Sequence, residues 1–180
     1  MRVIGLAGWS GAGKTTLIVK LIPYLREHGI TVSTLKHAHH AFDVDQPGKD
    51  SYLHREAGAR EVLVASSRRF ALMHELRGAK EPGLAELLRR MSPADLILVE
   101  GYKRDAHAKI EVHRTANAKP FLNPEDPTIA ALATDAADGL PLALPHAHLD
   151  DIAAIANLIR ALARPIEETV SRLAKRDGDP

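Results

Sequence analysis

The sequence predicts a three-layer α/β domain built on a mainly parallel sheet, and three observations predict it. Short apolar runs alternate with amphipathic stretches of helical period along most of the chain. One run, Leu96-Ile97-Leu98-Val99, is apolar without a break, as suits a central strand covered on both faces. A glycine-rich turn separates the first strand-like run from the first helical one.

The elements follow in order. Residues 3–7 read as a buried strand, and 14–28 as a helix that Pro23 should kink and Gly29 should cap. Residues 31–36 form a second strand, and 37–50 a polar, irregular stretch closed by Pro47 and Gly48. A short helix over 51–58 is capped by Asp50 or Ser51. Residues 61–66 and 70–74 are short strands close enough to pair, the hairpin extension of the fold. A helix over 83–91 leads to the strand 95–100, and the alternating stretch 109–113 fits an edge or hairpin strand. Residues 129–134 look like another buried strand. Ile152, Ile155, Ala156 and Ile159 recur at helical spacing behind Asp150 and Asp151, which can cap. Pro165 starts a last helix with Ile166, Val170 and Leu173 on one face, and Arg172, Lys175 and Arg176 near its C-terminal end. With no repeat and no linker, the expectation is one nucleotide-binding domain over 1–176 and a frayed tail over 177–180.

Composition narrows the function. Across 180 residues, 24 Lys+Arg against 23 Asp+Glu leave a net charge of +1, which argues against a surface built for nucleic acid or anionic lipid. The absence of cysteine removes disulfides, iron–sulfur clusters, thiolate zinc sites and a Cys nucleophile. No apolar stretch near the start suits a signal peptide and none suits a transmembrane helix, so a cytoplasmic protein is expected, with neither nucleic acid nor membrane as partner.

Gly8-Trp9-Ser10-Gly11-Ala12-Gly13-Lys14-Thr15 satisfies every fixed position of G-x-x-x-x-G-K-[ST], after a strand and at the start of a helix. The fold is therefore of the P-loop NTPase type. Glycines let successive N–H groups point at one anion, and the helix N-terminus adds partial positive charge. Lys14 should reach the β- and γ-phosphates, and the Thr15 hydroxyl should ligate Mg²⁺. Glu100, at the C-terminal end of its strand, supplies the carboxylate a P-loop needs beside the metal, one methylene longer than the usual Asp.

Three further groups fall at the same sheet edge. Asp43 and Asp45, in the irregular stretch, could orient a water or meet the hydrated metal. His37, His39 and His40 are either substrate contacts, solvated side chains or a metal site. Asp135, after the 129–134 strand, could accept from guanine N1–H and its amino group, although the N-K-x-D guanine motif is missing.

Three blocks together resemble the MobB family of molybdopterin-guanine dinucleotide biosynthesis adapter proteins. They are the phosphate loop from Gly8 through Thr16 to Leu17, the stretch from Lys36 through Asp43, Asp45 and Pro47 to Ser51, and that from Asp95 through Glu100 to Lys103. The middle block discriminates, because the P-loop alone belongs to many families. The resemblance spans about residues 2–160. It implies a homodimeric GTP-binding protein with weak, Mg²⁺-dependent GTPase activity that assists a MobA-type guanylyltransferase in joining GMP to molybdopterin. By position it implies nucleotide contacts from Gly8, Trp9, Ser10, Gly11, Ala12, Gly13, Lys14, Thr15 and Thr16. It implies others from Pro47, Gly48, Lys49 and Asp50, and from Glu100, Gly101, Tyr102 and Lys103.

The mechanism expected is phosphoryl transfer to water, with Lys14, the loop amides and Mg²⁺ stabilising the γ-phosphate and Asp43, Asp45 or Glu100 orienting the water. No arginine is placed as a finger in cis, with Arg55, Arg68 and Arg69 as candidates. Lys36, Lys49 and Lys103 are candidates for a pterin phosphate. Two rivals stay open: a P-loop small-molecule kinase, and a GTP-dependent metallochaperone using the His loop.

Overall fold

In the computed structural model, which describes residues 1–38, 42–141 and 144–177, the chain begins with β1 (Arg2–Ala7), α1 (Lys14–Glu27) and β2 (Val32–Lys36). It continues through α2 (Asp50–Glu56), β3 (Glu61–Ala65), β4 (Phe70–His74), α3 (Leu84–Arg90) and β5 (Leu96–Glu100). The remainder is β6 (Lys109–His113), β7 (Ile129–Thr134), β8 (His146–His148), α4 (Ile152–Leu162), β9 (Arg164–Pro165) and α5 (Ile166–Asp177). The backbone groups into two compact units, residues 1–37 with 84 onward, and residues 38–83.

The larger unit holds the parallel sheet, in the order β2-β5-β1-β6-β7-β8, with β9 antiparallel to the start of β1. β1 sits between β5 and β6, so the segment leaving its C-terminal end is flanked by both neighbours. On one face Ile4, Leu6, Leu96 and Leu98 pack with Leu17, Leu21 and Leu25 of α1 and Ile155 and Ile159 of α4. On the other, Val3, Ile97 and Val99 meet Leu84 and Leu88 of α3 and Ile166 and Leu173 of α5. Both faces are covered, which is why β5 is apolar from Leu96 to Val99. Each such fully buried Leu or Ile contributes about 1.5–3 kcal/mol.

Helix α1 runs through Pro23 and ends in a Schellman pattern, Ile30 N–H to the Leu25 carbonyl and Gly29 N–H to that of Arg26. The Asp151 carboxylate caps α4 by accepting from Ala154 N–H at 2.9 Å. The smaller unit carries α2 and the antiparallel β3–β4 pair, in register Leu63↔Leu72 and Ala65↔Phe70.

Several expectations need correction. Residues 109–113 are not an edge or hairpin strand: β6 lies between β1 and β7 and all five residues are buried. Its alternation separates two buried faces. Ile110 and Val112 join the α1/α4 core, while Lys109, Glu111 and His113 hold the irregular crossover to β7. Lys109 donates to the Asp105 carbonyl, Asp126 and Thr128. Glu111 accepts from the amides of Leu122 (2.6 Å) and Asn123 (3.0 Å), and His113 pairs with the Lys119 carbonyl and the Thr134 hydroxyl. Buried polar groups need partners, and here loop backbone supplies them. Pro165 lies in β9 opposite Arg2 rather than inside the last helix. Lys49 is the N-cap position of α2, with Asp50 already in its first turn and no side-chain cap. Asp177 still belongs to α5, and the rest of the expected frayed tail lies outside the described residues.

Candidate functional site

The phosphate loop joins β1 to α1 as its motif requires. Gly8 has φ 145°, and a Cβ there would stand 2.3 Å from the Val112 carbonyl oxygen, so the loop can leave the sheet this close to β6 only with glycine. Gly13, at φ 94°, is the N-cap position of α1. No side chain caps that helix and no acid occupies its first turn, which leaves its amides and the positive end of its dipole facing the loop.

Lys14 donates from Nζ to the Gly8 and Trp9 carbonyls, both at 2.9 Å. Burial pushes its ammonium below the ordinary range, Glu100 opposes this, and Lys103 and Lys36 add to it. Thr15 and Glu100, 85 residues apart, meet at 3.0 Å between Oγ1 and Oε1. The other Glu100 oxygen lies 3.7 Å from Lys36 Nζ. The strand order brings them together, since β5 is the direct neighbour of β1 and Glu100 is its last residue. The turn that follows includes Gly101 and Tyr102; Tyr102 has φ 48°, uncommon for a bulky residue, and its ring tilts against His37 at 4.8 Å. Lys103 places its ammonium 5.4 Å from the Trp9 ring centre, and Lys119 does so at 5.9 Å. Trp9 donates to the Pro120 carbonyl at 2.9 Å. Ser10 is tied by its carbonyl to the Asn117 amide at 2.8 Å, Ala12 is buried, and Thr16 lies on the first turn of α1.

Asp135 follows β7 on this edge. One oxygen accepts from Thr115 N–H at 2.7 Å and the other is 3.7 Å from Arg114. Burial works against its charge, but the Thr115 bonds and Arg114 prevail and hold the carboxyl below its usual range. A carboxylate so placed can still accept hydrogen bonds along its free lone pairs.

Asp43 and Asp45 belong to the smaller unit, where both are engaged by Arg55. Its guanidinium donates to Asp43 at 2.7 Å, to Asp45 at 3.3 Å and to Glu75 at 2.8 Å. The Arg55 hydrogen bond, first among several, holds the Asp43 carboxyl low. Asp45 also accepts from the Ser51 hydroxyl and the Gln46 amide. Pro47, Gly48 and Lys49 form the turn before α2, and Gly48, Lys49 and Asp50 line an open depression with His54 and Leu63. His37 ends the larger unit, its amide donating to the Glu100 carbonyl at 2.9 Å; His39 and His40 lie outside the described residues. Among the described residues no three His, Cys, Asp or Glu side chains form a metal cluster.

Sequence reading missed the residues contributed by the β6–β7 crossover, namely Arg114, Asn117 and Lys119. Arg114 directly follows β6. Placing 109–113 beside β1 would have put it at the phosphate loop, and the edge-strand reading hid that.

The family model described as "MobB: Molybdopterin guanine dinucleotide synthesis protein B" matches residues 3–135. The molybdopterin-guanine dinucleotide biosynthesis adapter protein of Escherichia coli K12 is 45% identical over 162 residues, covering 87% of this chain and 90% of that one. The Haemophilus influenzae protein of the same name is 43% identical over 136 residues, 74% of each chain. A crystal structure titled molybdopterin-guanine biosynthesis protein B superposes with a TM-score of 0.69 at 25% identity, covering 88% of this chain and 98% of that one.

Proposed function

The chain belongs to the MobB family, and from that membership and the geometry of its phosphate loop we propose that it is a GTP-binding adapter of molybdopterin guanine dinucleotide synthesis. It binds GTP with Mg²⁺, hydrolyses it slowly, and assists a MobA-type guanylyltransferase that joins GMP to molybdopterin. One observation carries the reading: the Thr15 hydroxyl and the Glu100 carboxylate meet at 3.0 Å beside an uncapped helix N-terminus and the Lys14 ammonium. Two hard oxygen donors so paired suit Mg²⁺, which keeps several waters and takes phosphate oxygens as further ligands. When bound, the ion would neutralise charge on the β- and γ-phosphates.

The chain's own groups supply the rest. Loop amides and the α1 dipole hold the phosphates, and Lys14 exchanges the Gly8 and Trp9 carbonyls for phosphate oxygens. Glu100 orients the attacking water. Asp43 and Asp45 are assigned to the Arg55 cluster instead, because that cluster occupies their oxygens. Asp135 faces the base, where a carboxylate favours guanine over adenine. Lys36 and Lys103 are available to a pterin phosphate. Homodimer formation is supported by Leu63, Phe70 and Leu72, which share one face of the β3–β4 hairpin and are 60%, 70% and 53% exposed. No helix among the described residues is long and apolar enough to cross a membrane.

Calorimetric titration with GTP and ATP in the presence of Mg²⁺ tests the reading. GTP should bind more tightly than ATP, Lys14→Ala should abolish binding of both, and Thr15→Val should remove the Mg²⁺ dependence. A preference for ATP would overturn the assignment and direct the search to a kinase acceptor.

A further inference from the structure

Arg114 stands at the phosphate loop, in a long ion pair with Asp135. It follows β6, so it reaches the loop from the side of β1 opposite Thr15 and Glu100. A Cβ built on Gly13 would lie 3.5 Å from its Nη2 and 3.7 Å from its Nε, which places the guanidinium against the first residue of the loop-to-helix junction. Its acid neighbour, Asp135, has Oδ2 3.7 Å from Nη1, beyond hydrogen-bond distance, while its other oxygen, Oδ1, accepts from Thr115 N–H. The side chain is 42% exposed.

Two sources of positive charge therefore adjoin at Gly13, the Arg114 guanidinium and the uncapped N-terminus of α1, whose first residue is Lys14. A cation beside a helix N-terminus is unfavourable by itself, and an anion between them reverses the sign. A planar fork of N–H donors matches phosphate oxygens in pairs. The crossover is also anchored to hold the fork there, because the Asn117 amide bonds the Ser10 carbonyl and Glu111 grips Leu122 and Asn123.

We propose that Arg114 is a nucleotide-binding residue that contacts the α- and β-phosphates, leaving its long pair with Asp135 to do so. This rests on the reading of the loop as a nucleotide site. The assignment to α and β follows from the side of approach: Thr15 and Glu100 occupy the metal side, and the amides around Gly13 cradle the α/β end of the chain. On leaving Asp135, the guanidinium frees that carboxylate oxygen for the base.

The test is calorimetric affinity for GTP and GDP with Mg²⁺ in wild type, Arg114→Ala, Arg114→Lys and Lys14→Ala, each checked for an unchanged melting temperature. Arg114→Ala should weaken GTP and GDP by the same factor, about 10- to 100-fold for the loss of charge-assisted hydrogen bonds. Arg114→Lys should recover part of the loss. Wild-type affinities in Arg114→Ala alongside lost binding in Lys14→Ala would overturn this inference alone. A loss for GTP without one for GDP would overturn it in favour of a γ-phosphate contact. Retained binding in Lys14→Ala would overturn the nucleotide reading itself.

Discussion

Lys109→Met probes the buried polar stripe of β6. The Lys109 side chain is 1% exposed, and its ammonium donates to the Asp105 carbonyl at 2.6 Å, the Thr128 hydroxyl at 2.5 Å and Asp126 at 3.1 Å. Methionine fills most of the same space but removes the charge and all three donors. Asp126 and Thr128 are then left facing an apolar side chain. Breaking a buried pair by removing one member costs about 3–5 kcal/mol. Asp126 is 22% exposed, so water can take over part of the lost solvation, which sets the expectation near about 3 kcal/mol. With a urea slope of about 2 kcal/mol per M, the unfolding midpoint falls by about 1.5 M. Adding Asp126→Asn removes the stranded charge and should restore about half of that loss. A midpoint shift below about 0.5 M in the single variant would refute the account, as would a double variant less stable than the single one.

Two further substitutions test the neighbourhood of the loop. Gly8→Ala places a methyl 2.3 Å from a backbone oxygen at φ 145°. The backbone conformation alone costs about 1–3 kcal/mol, so the melting temperature should drop by about 2–12 °C, and a change under about 1 °C would count against the fit described. Glu111→Gln tests a sign. Burial raises the Glu111 carboxyl above its ordinary 4.5 despite the Leu122 and Asn123 amides. The folded state thus favours the protonated form, and the wild type loses stability as pH rises through the raised folded value. The stability of the Gln variant relative to wild type should therefore climb as pH rises above 4.5, and a difference curve from urea melts that stays flat over that rise would contradict it.

What the sequence made legible was local. The phosphate loop announces itself because its glycines and its Lys14-Thr15 pair lie within eight contiguous positions. Glu100 could be placed because an unbroken apolar strand can only be central, and its last residue must then reach the ligand-binding edge. The β3–β4 pairing and the Asp151 cap depend on near neighbours and were equally readable. Lys109, Glu111 and His113 were not. An alternation of polar and apolar residues looks the same whether the polar face meets water or a folded-back loop, and only the crossover's partners distinguish the two. Asp43 and Asp45 show the same limit, because their engagement by Arg55 depends on how the irregular stretch lies against α2. Arg114 was hidden by the misplacement of its strand.

Trp9 is the only tryptophan in the chain, and its indole is bonded to Pro120 with the ammonium groups of Lys103 and Lys119 against its ring. Native emission excited at the red edge of the ultraviolet band therefore comes from a single ring at the mouth of the loop. Its wavelength and quenching record the polarity and charge at that one place, undiluted by signal from elsewhere in the chain.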